Sequence, residues 1–451
     1  MSVHMNTRII TLWETIRTSF WFVPSIMALI AIGLSQAGLA FDRFGADSEL
    51  EILADFYQTT PESARALLTT IATAMITVTS IAFSITVVAL TLASSQFGPR
   101  LIRNFMMDTG TQCVLGFFLS TFIYCLLIIQ ATKSFEQQEF VPGISILTSV
   151  ILAIVGVGVL IYFIHHVARA IQADNVIDNV YRELNDIIER LFPKIEEQDE
   201  VDTTTEQGVN TPPDFAQIYL NSQDIESASS GYVQTLDMGQ LRALSENSDM
   251  ALSVQYMPGD FVVRGSVLVT AYFNGATLPC ESQKIAELVR LGSHRTPVQD
   301  VEFAIRQLVE IAVRALSPGI NDPYSAVTVV DKLSAVLCTL TDKPFPPSTY
   351  EDVQGIIRLQ CKPIAFTGLG EAAFNQIRQY SKGSLAVTIR LLEGLSSILR
   401  FSRSPEHKQF VRQQAAMIEQ IQSSSQLGER DWQDIKRRLD DIKRNLDSDN
   451  N

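Results

Sequence analysis

The sequence predicts an α-helical integral membrane protein with four transmembrane helices, followed by a cytoplasmic α+β region in which a small β-module precedes an all-α domain. Three observations predict it. Four uncharged apolar runs lie in the first third of the 451 residues, each close to the roughly 20 residues needed to span hydrocarbon. Lys and Arg concentrate in alternate flanks of those runs. Past residue 229 the apolar period changes from helix to strand and back to helix.

Composition excludes several function classes. The formal net charge is −14, with 49 Asp and Glu against 35 Lys and Arg. Phosphate backbones require clustered Lys and Arg, and no such patch occurs, so no nucleic-acid partner is expected. Cys113, Cys125, Cys280, Cys338 and Cys361 are scattered without CxxC spacing, which is neither a zinc site nor a disulfide framework. HExxH, GxSxG, P-loop and dinucleotide fingerprints are missing, and His294 and His407 lack partners at recognisable spacing. The expectation is a protein that is not an enzyme, with no catalytic residue, metal or cofactor.

The membrane domain is assigned to residues 1–166, with spans at Phe20 to Phe41, Leu67 to Ser95, Thr111 to Thr132 and Ile144 to Ile164. The first run follows Arg8 and Arg17 and holds a small-residue Gly38-Leu39-Ala40 like that of a secretory signal. It is too long for a signal core and three spans follow, so a retained helix is expected. Arg8, Arg17, Arg100, Arg103, Arg169, Arg182 and Arg190 outweigh Arg43, Arg65 and Lys133 on the opposite side, which puts both termini in the cytoplasm. The first connection carries Asp42, Asp47, Glu49, Glu51, Asp55 and Glu62, either a solvated loop or a negative mouth that concentrates cations. The spans contain no ionisable carboxylate or base, which excludes a proton relay of buried charges.

The second span is the most informative. Thr60-Pro61-Glu62 supplies an N-cap, a proline at the first helical position and an acid in the first turn. A helix from Pro61 to about Phe97 is about 55 Å long and ends at Gly98-Pro99, with Arg100 and Arg103 as anchors at the cytoplasmic edge. At about 100° per residue, Thr69, Thr73, Thr77, Ser80, Ser84, Thr91 and Ser95 share about a quarter of its circumference. Such a stripe either lines a polar path or lets helices pack closely, and both readings stay open. His165 and His166 close the fourth span on different helix faces, which suits an interfacial position better than a metal site.

Residues 167–195 continue as an amphipathic stalk helix bearing Val176, Val180, Leu184, Ile187, Ile188 and Leu191. The acidic, Thr-rich segment within 196–228 cannot bury a core and is expected to be a linker. Residues 229–280 form the β-module, with turns at Met257-Pro258-Gly259-Asp260 and Arg264-Gly265. Pairing of GYVQ with PGDFVVRG is similar to that of barrel-sandwich hybrid modules. A carrier role is excluded because no lysine lies between Lys194 and Lys284. In the helical domain, 281–451, Val301, Ile305, Leu308, Ala312 and Ala315 line one face, with Glu302–Arg306 and Glu310–Arg314 pairs on the other. Ser317-Pro318-Gly319-Ile320-Asn321-Asp322-Pro323 reads as a corner between two helices, and alternatively as a ligand or subunit contact through Ser317, Gly319, Asn321 and Asp322. The last helix sets Trp432, Ile435, Leu439, Ile442 and Leu446 on one seam, able to dock on its own domain or on another subunit.

The SPGINDP corner, SGYVQ, PGDFVVRG and the ITVTSIAFSITVVALTLASSQFGPR helix together resemble the bacterial family of predicted membrane proteins catalogued as domain of unknown function 2254 (DUF2254), over nearly the whole chain. In that pattern the motif after the second span corresponds to Ser94, Ser95, Gln96, Phe97, Gly98, Pro99 and Arg100. The resemblance implies a bacterial integral membrane protein with a cytoplasmic soluble half, in contact with the lipid bilayer of the plasma (inner) membrane. It brings no established activity. The expected function is an oligomeric ion channel or transport-related protein, a homo-oligomer passing cations along the hydroxyl-lined second helix. The alternative is a membrane-anchored sensor or scaffold that binds a cytoplasmic partner or small ligand through its soluble half.

Overall fold

The computed structural model describes residues 21–46, 60–99, 108–132, 140–193, 214–424 and 427–448. Arg100, Arg103, the acidic residues 47–55 and the linker residues 196–213 lie outside them. The chain divides into two compact units, Met1–Val176 and Ile177–Asn451.

Among the described residues the first unit holds four helices, α1 (Phe22–Ala46), α2 (Pro61–Phe97), α3 (Thr109–Ala131) and α4 (Gly143–Ala170), all long and apolar enough to cross a membrane. The chain is thus a four-span helical membrane protein in its first third. Its central element is not the hydroxyl-rich α2. It is α3, which packs against α1, α2 and α4 and is more than half buried, where the other three are buried over about a fifth of their spans. The reason is steric: Gly116 on α3 leaves so little room that a Cβ there would meet Met27 Sδ at 2.6 Å and the Pro24 Cα at 3.1 Å of α1. Leu68, Ile71, Ala72 and Met75 of α2, Phe118, Tyr124 and Ile128 of α3, and Phe163 of α4 fill this core.

The second unit begins within α5 (Ala173–Leu191), where Ile177, Val180, Leu184, Ile187 and Ile188 are buried. This stretch is integrated in the core of the second unit rather than free-standing. Phe192 packs edge-on against Phe345, and the buried Lys343 ammonium donates to Glu189 Oε2 (2.7 Å) and to the Phe192 carbonyl (3.0 Å), closing the helix end where carbonyls lack partners. A short α6 (Phe215–Ile218) leads into β1 (Asn221–Glu226), β2 (Gly231–Leu236), α7 (Met238–Asn247), β3 (Ala251–Val254), β4 (Phe261–Val262), β5 (Val267–Phe273), α8 (Ser282–Glu287) and β6 (Val289–Gly292).

These strands make two sheets, one ordered β4-β2-β6. GYVQ does pair with PGDFVVRG, Gly231 opposite Val262 and Tyr232 opposite Phe261. The other sheet, β1-β5-β3-β8-β7, takes β7 (Thr349–Glu351) and β8 (Ile357–Gln360) from the helical half, β8 lying parallel to β3. The β region therefore starts earlier than residue 229 and recruits strands well beyond 280. Neither departure was legible: β1 has a single buried residue, Ile225, so it lacks alternation, and β8 is too short for a period.

The helices are α9 (Val301–Ala315), α10 (Pro323–Leu340), α11 (Phe366–Tyr380), α12 (Leu385–Phe401), α13 (Pro405–Ser423) and α14 (Glu429–Ser448). α9 packs on α10 and α11, and α12 on α10, α13 and α14. The seam of α14 docks on its own domain, with Ile435, Leu439, Ile442 and Leu446 buried.

Candidate functional site

All seven hydroxyls of the α2 stripe, Thr69, Thr73, Thr77, Ser80, Ser84, Thr91 and Ser95, are exposed on the surface of the four-helix unit. The packing face of α2 is a different one, Ala64, Leu68, Ile71, Ala72, Met75, Ala82, Thr86 and Ala93. Thr77 donates to the Thr73 carbonyl (2.7 Å), Ser80 to Ile76 (3.0 Å), Ser84 to Ser80 (2.9 Å) and Thr91 to Val87 (2.9 Å). Each of these hydroxyls is satisfied by its own helix, which makes the face tolerable in an apolar medium while leaving oxygen lone pairs outward.

The charges that organise the helix ends escaped the sequence reading. Helix α1 runs on past its uncharged apolar run through Asp42, which is fully buried rather than solvated in the first connection. Its carboxylate accepts from the Ile144 amide (2.9 Å), the Ser145 amide (3.1 Å) and the Ser145 hydroxyl (2.6 Å). It thus caps α4, whose own N-cap residue Pro142 makes no side-chain cap, by placing negative charge on an N-terminus. Gly38, one turn back, admits the Ser145 and Tyr124 hydroxyls; a Cβ there would sit 2.8 Å from Ser145 Oγ. At the same end, Arg65 of α2 donates from Nε to the Thr132 carbonyl that ends α3 (3.1 Å). At the opposite end, Asp108 caps α3 through the Thr111 amide (2.9 Å) and hydroxyl (2.6 Å) and meets His166 Nε2 of α4 at 2.7 Å. Only a glycine at 110 lets that imidazole approach. His165 is exposed on the other face. An uncapped helix start at Pro142 was the available signal for a cap borrowed from elsewhere.

In the second unit the SPGINDP corner consumes most of its own polar groups. Asn321 adopts φ 52°, a left-handed conformation that asparagine tolerates. Asp322 caps α10 through the Ser325 amide and hydroxyl, and the Ser317 hydroxyl donates to the Arg314 carbonyl. The amides of Ile320 and Asn321 donate to the Ser317 carbonyl, and that of Asp322 to Ala315. What faces outward is Pro318, Gly319, Ile320, Asn321, Pro323 and Tyr324.

Two further motifs meet. Gly259 of the PGD turn, at φ 99°, lies against Asp300 and Arg295 so closely that a Cβ would fall 2.3 Å from Asp300 Oδ2. Asp300 caps α9 through the Phe303 amide and takes a bidentate pair from Arg295 at 2.7 and 3.0 Å. Burial pushes its carboxyl up, opposed by Arg295 and the Phe303 amide. Among the described residues no group of three or more His, Cys, Asp or Glu is arranged to hold a metal.

The fold and these surfaces define a class, a polytopic helical membrane protein carrying a second, α+β unit without membrane-length apolar helices among its described residues. The chain belongs to the family described as "Predicted membrane protein (DUF2254)", which matches residues 17–397. Relatives described as uncharacterized proteins in Mycobacterium tuberculosis and Mycobacterium bovis are each 30% identical over 410 residues, covering 90% of this chain and 76% of the relative. No solved structure matches.

Proposed function

We propose that this membrane protein is a homo-oligomeric channel or transport-related protein of the bacterial inner membrane, in which the hydroxyl faces of α2 from several copies turn toward a shared polar path. The observation that carries the reading is that the whole stripe is exposed and lies off the packing face of α2 among the described residues. Because the stripe lies on the outside of the described four-helix unit, conduction on this reading needs assembly. Outward lone pairs of back-bonded hydroxyls offer weak oxygen ligands suited to cations in transit. On the topology expected from the Lys and Arg distribution, both termini are cytoplasmic and α2 ends on the inner side.

The test is ion flux in vesicles reconstituted with the purified protein, comparing the native chain with Thr77→Leu/Ser80→Leu. Flux that falls at least tenfold in the variant supports the path; no flux, or flux indifferent to both changes, removes it. A second reading, a membrane-anchored sensor or scaffold, is favoured by the outward Ile320, Asn321 and Tyr324 at the corner. Since Asp322 caps a helix, the informative variants are Asn321→Ala and Tyr324→Ala, and unchanged recovery of bound partners with both would count against it.

A further inference from the structure

The α9–α11 face of the soluble unit holds a polar cavity of about 420 Å³ lined by Glu302, Arg306, Gly368, Glu371, Asn375 and Gln379, with Ala372 and Gln376 completing the wall. On α11 these residues recur every three or four positions, so they form one helix face. Gly368 and Ala372 keep that face open by bringing no bulk to it.

The charges in and under this cavity are separated. Glu302 is paired with Arg306 at 2.6 Å. Glu371 is exposed and makes no ion pair among the described residues. One turn on, Asn375 is held by its carbonyl oxygen: Oδ1 accepts from Gln414 Nε2 at 2.8 Å and from Arg378 Nη2 at 3.3 Å. Its Nδ2 donor is left over for the cavity.

Behind Asn375 lies an unusual group. Arg378 is 8% exposed, its Nε has no hydrogen-bond partner, and no carboxylate reaches it among the described residues. A buried guanidinium ordinarily has an anionic partner, because a desolvated charge left alone is costly. Burial accordingly pushes its pKa down. Gln414 Oε1 beside it is likewise unpartnered. The cavity therefore has a free carboxylate at one end and, about 6 Å along the helix, an amide donor backed by an uncompensated positive charge.

We propose that this cavity binds a small zwitterion of the amino-acid class, with its ammonium on Glu371 and its carboxylate on Asn375 Nδ2 above Arg378. Arg378 does not line the cavity but donates to the Asn375 side chain from behind, so its positive charge favours a carboxylate bound at Asn375 Nδ2, and Arg306 and Gln379 offer further donors to a polar side chain. The inference is independent of what the α2 face does.

Asn375→Asp isolates the argument. It is isosteric, keeps the acceptor for Gln414 and Arg378, gives Arg378 a carboxylate of its own, and removes the donor the ligand needs. The experiment measures binding of L-glutamine to the full-length protein in detergent by calorimetry, with N-acetyl-glutamine and glutamine amide as probes lacking one charge each. L-Glutamine is expected to bind, both single-charge probes at least tenfold more weakly. Glu371→Gln and Asn375→Asp should each weaken L-glutamine binding at least tenfold, and Asn375→Asp should also raise the melting temperature. No binding of L-glutamine, equal binding of the blocked probes, or binding indifferent to both substitutions overturns the proposal. The melting temperature shows separately that both variants are folded.

Discussion

Replacing Asp42 with alanine should destabilise the membrane unit more than any loss of a stripe hydroxyl. The carboxylate receives three hydrogen bonds from the first turn of α4 in a fully buried setting. Loss of an N-cap costs about 1–2 kcal/mol, and each buried donor left unpaired about 1–3 kcal/mol. The Ser145 hydroxyl is free to turn to another acceptor, whereas the amides of Ile144 and Ser145 cannot move. The expected cost for Asp42→Ala is therefore about 3 kcal/mol, and for Asp42→Asn, which keeps one acceptor, about 1–1.5 kcal/mol. Helicity followed by circular dichroism during titration of purified protein with SDS reads this as a shift of the midpoint. Ser145→Ala alone removes one bond, and the Asp42→Ala/Ser145→Ala pair should be non-additive by about 1 kcal/mol, since both changes delete the same contact. Asp42→Ala within about 0.5 kcal/mol of the native chain, or strict additivity, would refute the borrowed cap.

Three other outcomes are expected. Gly259→Ala should cost about 2 kcal/mol or more in chemical denaturation, because its φ of 99° disfavours a side chain and Asp300 occupies the space, whereas Gly319→Ala, with nothing within 4 Å, should stay within about 0.5 kcal/mol. Burial raises the Glu393 carboxyl, but hydrogen bonds from Arg390 and Arg438 outweigh it and hold the group below its ordinary value of 4.5. Its contribution to stability is thus present above that value and lost as pH falls through the lower folded one. Arg438→Ala, which breaks an α12–α14 contact with this carboxylate at 3.1 Å, should flatten the acid limb of the stability–pH curve at a neutral-pH cost under about 1 kcal/mol. Burial pushes the Cys338 and Cys361 thiols up to about 11, so at pH 8 iodoacetamide should modify neither, as read by mass spectrometry, until the protein is denatured.

Much of this fold is written in local pattern. The start of α2 at Pro61, with Thr60 accepting from the Ser63 amide, and its end at Phe97 before Gly98 coincide with the proline, hydroxyl and glycine signals. The caps at Asp237, Asp322 and Ser404 do the same for the soluble helices, because capping is decided within three or four residues. The candidate site was legible only in part. The stripe is where helical spacing puts it, while Asp42 looked like one more loop acid, since its partners lie a hundred residues away. The orientation of Asn375 in the cavity wall depends on Arg378 and on Gln414, the latter from a different helix.

The sequence by itself determined the four apolar spans, their helical period, most helix ends and the hydroxyl face of α2, all properties of spacing and composition along a few turns. Only the tertiary structure decided that α3 is the helix the others pack around, that the α2 stripe points away from its own bundle, and that Asp42 and Arg65 close helices other than their own. It also took a strand from 357–360 into parallel pairing with β3. The physical reason is common to the three helical findings. Which face a helix buries, and which charge meets an unsatisfied helix end, depend on close approach at positions such as Gly38, Gly110 and Gly116, and that approach joins residues with no relation in sequence.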